Sequence, residues 1–313
     1  MKEKILITGG AGFIGSHLQD ALIKRGYKII IIDNLSTGKK ENINKKAKFY
    51  KIDILNPKIS EIFKKEKPTI VFHLAAQMNV RKSVGDLIFD AKVNIFGSLN
   101  ILENCKNFGV KKIIFASSGG AIYGETKKIP TPENYSENPI SPYGISKLTV
   151  EKYLKFYKEN FGLNFISLRF SNVYGPRQNL KSEAGVVTIF IDKLLHNKIP
   201  TIFGDGFQTR DFVYVKDVVE AALKALAYRA PISANLEPVF NVGTGIETSI
   251  NELYNLISQK LKKNIKPNYE LAKPGDLKRS CLDFSKIKKE LRWQPKYDLE
   301  KGLTETIKWF KKT

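Results

Sequence analysis

Tyr143 and Lys147 stand four residues apart in the run Ser141-Pro142-Tyr143-Gly144-Ile145-Ser146-Lys147. On a helix that spacing is one turn, so a phenol and an ammonium group share a face. A phenol with a pKa of about 10 is a poor base at neutral pH. A neighbouring ammonium, and a positively charged ring bound alongside, would favour the phenolate and turn it into a proton acceptor. An ordinary amphipathic helix can carry the same two residues, so the pair gains meaning from its surroundings. Upstream, the apolar run Ile113 to Ala116 ends at Ser117-Ser118. A hydroxyl at that strand end can bridge a substrate hydroxyl and Tyr143, while one of the two serines can instead cap the strand-to-loop turn.

The elements that would hold a redox group beside this pair are written at the start of the chain. Ile5, Leu6 and Ile7 read as a short buried strand, and Gly9, Gly12 and Gly15 follow at intervals of three. Phe13, Ile14 and Leu18 then open a helical pattern. Glycines in such a turn allow a tight reversal, close approach of backbone to a pyrophosphate, and close packing of helix on strand. The helix N-terminus adds unpaired N–H groups and the positive end of a dipole. The next apolar run, Tyr27 to Ile32, delivers Asp33, 18 positions past Gly15. A carboxylate there accepts hydrogen bonds from both ribose hydroxyls and repels a 2′-phosphate, which favours NAD over NADP.

The first 175 residues alternate strands and helices. Strands are expected to end near Thr8, Ile32, Ile52, Phe72, Ala116 and Leu168, with helices over 13–25, 57–66, 86–107 and 143–160. This pattern predicts an α/β fold, a Rossmann-like doubly wound parallel sheet covered on both faces. Ligands in such sheets sit beyond the carboxyl ends of the strands, where Asp33, Asp53, Ala75-Ala76-Gln77 and Ser117-Ser118 fall. After residue 175 loops rich in Gly and Pro appear, with helices expected over 184–196, 215–228, 249–262, 284–291 and 299–311. The domain reading is an NAD-binding part over 1–175, with 213–242 returning to it. A smaller mixed α/β substrate-binding part covers 176–212 and 243–313.

Composition narrows the classes. The 313 residues are 42% apolar, enough for a sizeable core, and no run of 18 apolar residues predicts a membrane span. The chain opens on a strand, so no signal peptide is expected. Cys105 and Cys281 are far apart and fit neither a disulfide framework nor a metal site, so a reducing cytoplasm is the simple expectation. The formal charge of +21 invites a nucleic-acid partner. The lysines, however, are scattered in pairs such as Lys39-Lys40, Lys64-Lys65, Lys111-Lys112 and Lys288-Lys289, with no nucleic-acid-reading module. A solvated surface that also attracts anionic substrates is the better account.

In order along the chain come TGGAGFIGSHL, DNLSTG (33–38), HLAAQ (73–77), SSGGAIYGE, SPYGISK, RFSNVYGPRQ (169–178), GDGFQTRDFVYVKD (204–217) and FNVGTG (240–245). With these motifs the sequence resembles, over essentially its whole length, the extended short-chain dehydrogenase/reductase family. Within it the likeness is to the NAD-dependent epimerase/dehydratase group and its sugar-nucleotide 4-epimerases. The resemblance implies that Gly9, Gly12 and Gly15, with Phe13 and Ile14, meet the pyrophosphate. It puts Asp33 at the adenosine ribose with Asn34, Ser36, Thr37 and Gly38 beside it, and Asp53 and Ile54 at the adenine. Leu74, Ala75, Ala76, Gln77 and Ser117 line the rest of the cofactor. Tyr143 is implied as the base, Lys147 as its partner and the holder of the nicotinamide ribose, and Ser118 as the proton bridge. Counted back from Tyr123-Gly124 the bridging position is Gly119, but the strand count is preferred because the loop can absorb an extra glycine.

On the substrate side the resemblance implies Asn172 as a substrate-binding residue and Arg210 as the grip on a nucleotide diphosphate, where a planar guanidinium suits phosphate. Two departures matter. The family's second diphosphate arginine is replaced by Lys273 before Pro274-Gly275-Asp276, so Lys273, or Arg279 in its stead, would serve, with Asp276 nearby. Ser280 stands where family members specific for unacetylated sugars carry a tyrosine. It either leaves room for an N-acetyl group or is a small residue chosen for packing. The implied activity is 4-epimerisation of a UDP-hexose through a transient 4-keto sugar, with NAD retained and a homodimer formed through the helices over 86–107 and 143–160. Ile95, Leu99, Ile101 and Leu102 on the first helix, and Leu148, Val150, Tyr153 and Leu154 on the second, would supply the apolar contact. The alternatives are a UDP-glucuronate epimerase or decarboxylase, or a non-catalytic NAD-binding regulator. A 4,6-dehydratase is disfavoured because Gly119-Gly120, not an acidic pair, follows Ser118.

Overall fold

The computed structural model describes residues 3–180, 185–229, 237–272 and 276–312. The N-terminal half runs β1 (Lys4–Thr8), α1 (Phe13–Lys24), β2 (Lys28–Asp33), β3 (Lys48–Lys51), α2 (Ile59–Glu66), β4 (Ile70–His73), α3 (Val80–Gly85), α4 (Leu87–Ala91), α5 (Gly97–Asn107), β5 (Lys112–Ser118), α6 (Gly119–Ile122), α7 (Pro142–Phe161) and β6 (Asn164–Phe170). The C-terminal half runs β7 (Asn172–Tyr174), α8 (Val186–Leu195), β8 (Thr201–Phe203), β9 (Thr209–Arg210), β10 (Phe212–Tyr214), α9 (Val215–Ala227), β11 (Val239–Val242), β12 (Thr248–Ser249), α10 (Ile250–Leu261), β13 (Asn268–Glu270), β14 (Arg279–Ser280), α11 (Ser285–Leu291) and α12 (Leu299–Phe310).

Seven parallel strands form the main sheet in the order β11-β6-β5-β4-β1-β2-β3. The order reverses between β1 and β4, the crevice where doubly wound sheets bind ligands. Strands buried on both faces read as continuous apolar runs, and Ile29 to Ile32 of β2 are all buried. Each such side chain contributes about 1.5–3 kcal/mol when removed from water. One core layer packs α1, α9 and α11 on one face, and a second packs α2, α5 and α7 on the other. A third core joins α8, α10 and α12. The seventh strand, β11, comes from the 213–242 segment and pairs with β6 through Val239↔Ser167 to Val242↔Phe170.

The helix expected over 86–107 is broken. Asp86 caps α4 by accepting from the Phe89 N–H at 2.9 Å, and Lys92–Phe96 form a π-helical turn before α5. Short helices at α3 and α6 were not expected from the pattern. The apolar residues expected to mediate self-association mostly serve the monomer instead, because Ile101, Leu102, Val150 and Leu154 lie in the second core. Exposed apolar side chains on this face are Leu87, Ile88, Phe96, Ile145 and Phe156, with Tyr153 at the margin. Among the described residues no helix is long and apolar enough to cross a membrane.

Candidate active site

The catalytic helix starts where its sequence says it should. Ser141 is the N-cap, accepting from the Gly144 N–H at 3.2 Å, and Pro142 fills the first turn, where its missing N–H costs nothing. Gly144 is required: a Cβ there would run into the Ala121 carbonyl oxygen. The first turn of α7 therefore lies directly on α6, the turn that follows Ser118. This contact brings the Ser118 hydroxyl close enough to the Tyr143 phenol to lower its pKa. β5 runs through Ser118, and the extra glycine is taken up in α6.

Lys147 is buried, donates to the Ala116 carbonyl at 2.8 Å, and lies 5.7 Å from the Tyr143 ring centre. Burial pushes its pKa down to about 8, against the pull of Asp90 and Glu151. Burial pushes the Tyr143 phenol up, and the nearby Ser118 hydroxyl works the other way. The pair alone thus holds a neutral phenol, and added positive charge is needed to ionise it. Behind it His73 bridges Thr8 Oγ1 at 2.7 Å and Ser98 Oγ at 2.9 Å, and burial lowers its pKa to about 3, so it stays neutral.

The residues of the first turn fit a dinucleotide. A Cβ on Gly9 would lie 2.7 Å from the Ala75 nitrogen, and one on Gly15 would strike the Gly9 carbonyl oxygen. Gly12 caps α1 with no side-chain hydrogen bond, which leaves first-turn N–H groups for a phosphate. Phe13 sends its side chain into the third core and Ile14 packs partly against it, so both offer a ligand their backbone. Asp33 ends β2 with its carboxylate accepting from Ala11 N at 3.0 Å and Leu35 N at 2.8 Å. Burial raises its pKa, and those two bonds oppose the shift. Two oxygens with about four acceptor positions leave two for a ribose. Gly38 stands beside it, where a Cβ would lie 3.0 Å from Asp33 Oδ1. Asn34 donates to Asp53 at 2.6 Å, and Ile54 is buried against Gly97. Ser36 and Thr37 complete the loop, and Leu74, Ala75 and Ala76 follow β4 at the switch point. The Ser117 hydroxyl is buried with no partner, an open polar position at the end of β5.

Gln77, expected to line the cofactor, has a buried side chain bonded within the protein. Its amide donates to Asp90 at 2.9 Å, and its backbone N–H donates to Asn94 Oδ1 at 2.8 Å. Asp90 is fully buried and also accepts from Asn94 Nδ2 at 2.9 Å and Ser146 Oγ at 2.7 Å. Sequence reasoning missed this cluster. The signal was present as Asp90, Asn94 and Ser98 at intervals of four, a polar stripe in an apolar segment.

The residues expected to meet the substrate lie on or beside very short strands. β9 pairs with β14 in parallel register, Thr209↔Arg279 and Arg210↔Ser280. Pleating therefore puts Arg210 and Ser280 on one face and Thr209 and Arg279 on the other. Burial lowers the Arg210 pKa, while Asp276 and Glu125 lie close enough to oppose this. Ser280 faces the catalytic turn: a Cβ on Gly120 would lie 3.4 Å from its Oγ. Arg279 is exposed and bound by Glu247 through both carboxylate oxygens, apart from Arg210. Lys273 lies outside the described residues, and Asp276 is exposed. Asn172 is exposed at the start of β7, next to β10. Asp211, also missed from sequence, is buried and accepts from Thr244 N at 2.8 Å, Thr244 Oγ1 at 2.6 Å and Leu282 N at 3.2 Å. It ties the Arg210 strand to two loops.

A doubly wound sheet with a glycine cradle at its switch point and a Ser-Tyr-Lys set on the neighbouring strand and helix defines a dinucleotide-dependent oxidoreductase type of site. The chain belongs to the NAD dependent epimerase/dehydratase family, whose model matches residues 5–243. It is 40% identical to the UDP-glucose 4-epimerase of Mycolicibacterium smegmatis, over 98% of both chains. It superimposes on the UDP-glucose 4-epimerase of Thermotoga maritima, solved with UDP-glucose, at a TM-score of 0.94 and 48% identity over 99% of both chains. The UDP-N-acetylglucosamine 4-epimerase of Methanobrevibacter ruminantium M1, in complex with UDP-N-acetylmuramic acid, is 39% identical. There the TM-score is 0.92, covering 100% of this chain and 99% of that one.

Proposed function

We propose that this protein is an NAD-dependent 4-epimerase of UDP-hexoses, interconverting UDP-glucose and UDP-galactose and accepting their N-acetylated forms. The observation that carries the reading is the convergence of Ser118, Tyr143 and Lys147 beside a glycine turn that ends in Asp33. Bound NAD supplies a hydride acceptor and donor. Tyr143 takes the proton of the sugar 4-hydroxyl through Ser118 and later returns it. Lys147 holds positive charge beside the phenolate, and the nicotinamide ribose is within its remaining hydrogen-bonding capacity. Asp33 holds the adenosine ribose, and Arg210 grips the diphosphate with Lys273. Arg279 is a weaker candidate for that grip, since Glu247 already occupies its guanidinium.

Small residues at Gly120 and Ser280 support acceptance of an N-acetyl group, because a ring at position 280 would close over Gly120. Residues 1–175 with 213–242 would hold the cofactor and the remainder the sugar nucleotide, in the reducing cytoplasm. A second copy of the chain would cover Leu87, Ile88, Phe96, Ile145 and Phe156, and light scattering showing a monomer at micromolar concentration would refute this. The functional test incubates NAD-loaded protein with a panel of UDP-sugars and identifies products by NMR. Epimerised UDP-hexoses are expected. Four unchanged UDP-hexoses, or release of carbon dioxide from UDP-glucuronate alone, would overturn the reading.

A further inference from the structure

Asp90 is a buried carboxylate whose three side-chain partners, Gln77, Asn94 and Ser146, are all neutral. Burying a charge without a counter-ion is costly, and three charge-assisted hydrogen bonds offset only part of that cost. The cluster is placed where it can act on the reaction. Ser146 lies on α7 between Tyr143 and Lys147, and Gln77 closes the segment that follows β4. Asn94 accepts from the Gln77 N–H and donates to the Gln77 carbonyl, both at 2.8 Å. The π-helical turn over Lys92–Phe96 holds Asn94 in this position, a distortion often found at functional sites.

We propose that Asp90 is a positioning residue for the Tyr143–Lys147 pair: its buried carboxylate pins α7 to the 74–77 segment and supplies the negative potential that keeps Lys147 protonated. This rests on the reading of Tyr143 and Lys147 as the catalytic pair. Among the other groups facing the pair, Glu151 adds to that potential, second to Asp90. His73 on β4 is neutral. Glu151, one turn beyond Lys147, is ion-paired with Arg169 of β6, which also binds Glu137. On α3, Arg81 lies over the Phe203 ring and Lys82 over Phe89. On α5, Glu103 and Lys106 pair with each other at the far end of α7, where Glu103 also binds Tyr157. Asp90 is thus the one carboxylate among the described residues that faces the pair without a cation of its own.

The field of Asp90 favours the ammonium of Lys147 and disfavours the phenolate of Tyr143, so removing its charge lowers both pKa values together. The test is the pH profile of kcat/KM for Asp90→Asn, a change that keeps shape and lets the Ser146 hydroxyl turn to accept. Both limbs are expected to move to lower pH by about one unit. The tyrosinate absorbance of the NAD-loaded protein, taken as the difference from Tyr143→Phe in the same background, should move the same way. Ser146→Ala leaves the charge in place with one donor fewer, so both limbs should move to higher pH; this variant carries the test if Asp90→Asn does not fold. A profile that keeps its limbs while the rate merely scales down, or no change in either variant, would overturn the proposal. Absence of turnover in the unaltered protein would sink the functional reading instead, and the absorbance titration would still decide on Asp90.

Discussion

Asp33 and Asp211 are both buried carboxylates at strand ends, yet they do opposite work. Asp33 ends a six-residue strand in the main sheet and accepts from the N–H groups of Leu35 and of Ala11 in the glycine turn, leaving acceptor positions open. Asp211 follows a two-residue strand and uses its oxygens to hold Thr244 and Leu282, segments more than thirty residues away. Around Asp33, strand and turn geometry of the main sheet positions the polar groups. Around Asp211, tertiary hydrogen bonds hold strands too short to stand alone.

The comparison predicts that damage to the two halves reads out differently. The largest effect belongs to the group between them: Tyr143→Phe should lower kcat by about 10²–10⁴-fold with NAD still bound. Gly15→Ala forces a methyl against the Gly9 carbonyl at a cost of about 1–3 kcal/mol. Purified protein should then carry less NAD and melt at a lower temperature, as absorbance and calorimetry would show. Arg210→Ala should leave NAD content intact and raise KM for the UDP-sugar about tenfold or more, since hydrogen bonds to charged groups are worth about 1.5–3 kcal/mol. Equal loss of NAD in the Arg210 and Gly15 variants would erase the distinction.

Charge gives a third readout. The folded pKa of Lys147 is lowered from 10.5 to about 8, so the unfolded chain binds this proton more tightly. The group disfavours folding below that value, and the penalty lifts as pH rises from about 8 to 10.5. Activity should run the other way: without other charges in the site, kcat/KM falls above pH of about 8 as the ammonium is lost. The smallest effect is expected at Arg279→Ala, whose pair with Glu247 is exposed and screened by solvent. A KM change there as large as at Arg210 would move the diphosphate grip to the other face of the strand pair.

What was legible in the sequence follows the same division. β1, α1 and β2 could be read to within a residue or two because apolar periodicity and glycine spacing are local signals. The Tyr143 helix, expected over 143–160, was read to within one residue at each end. β9 and β14 were invisible, because two-residue strands have no period and pair across about seventy positions. The break in the 86–107 helix was missed because the polar Asp90 and Asn94, both buried, do not interrupt a helical pattern of apolar residues. Gln77 was given to the cofactor from the HLAAQ motif, which does not carry the hydrogen bond its side-chain amide makes to Asp90.

The central claim is that one site oxidises and re-reduces the same sugar carbon while Tyr143 handles the proton. The direct measurement is NMR of UDP-galactose carrying deuterium at C4, incubated with the NAD-loaded protein in ordinary water. The account predicts UDP-glucose with the deuterium retained at C4. An unchanged sugar, or UDP-glucose whose deuterium has been replaced by solvent hydrogen, would contradict it.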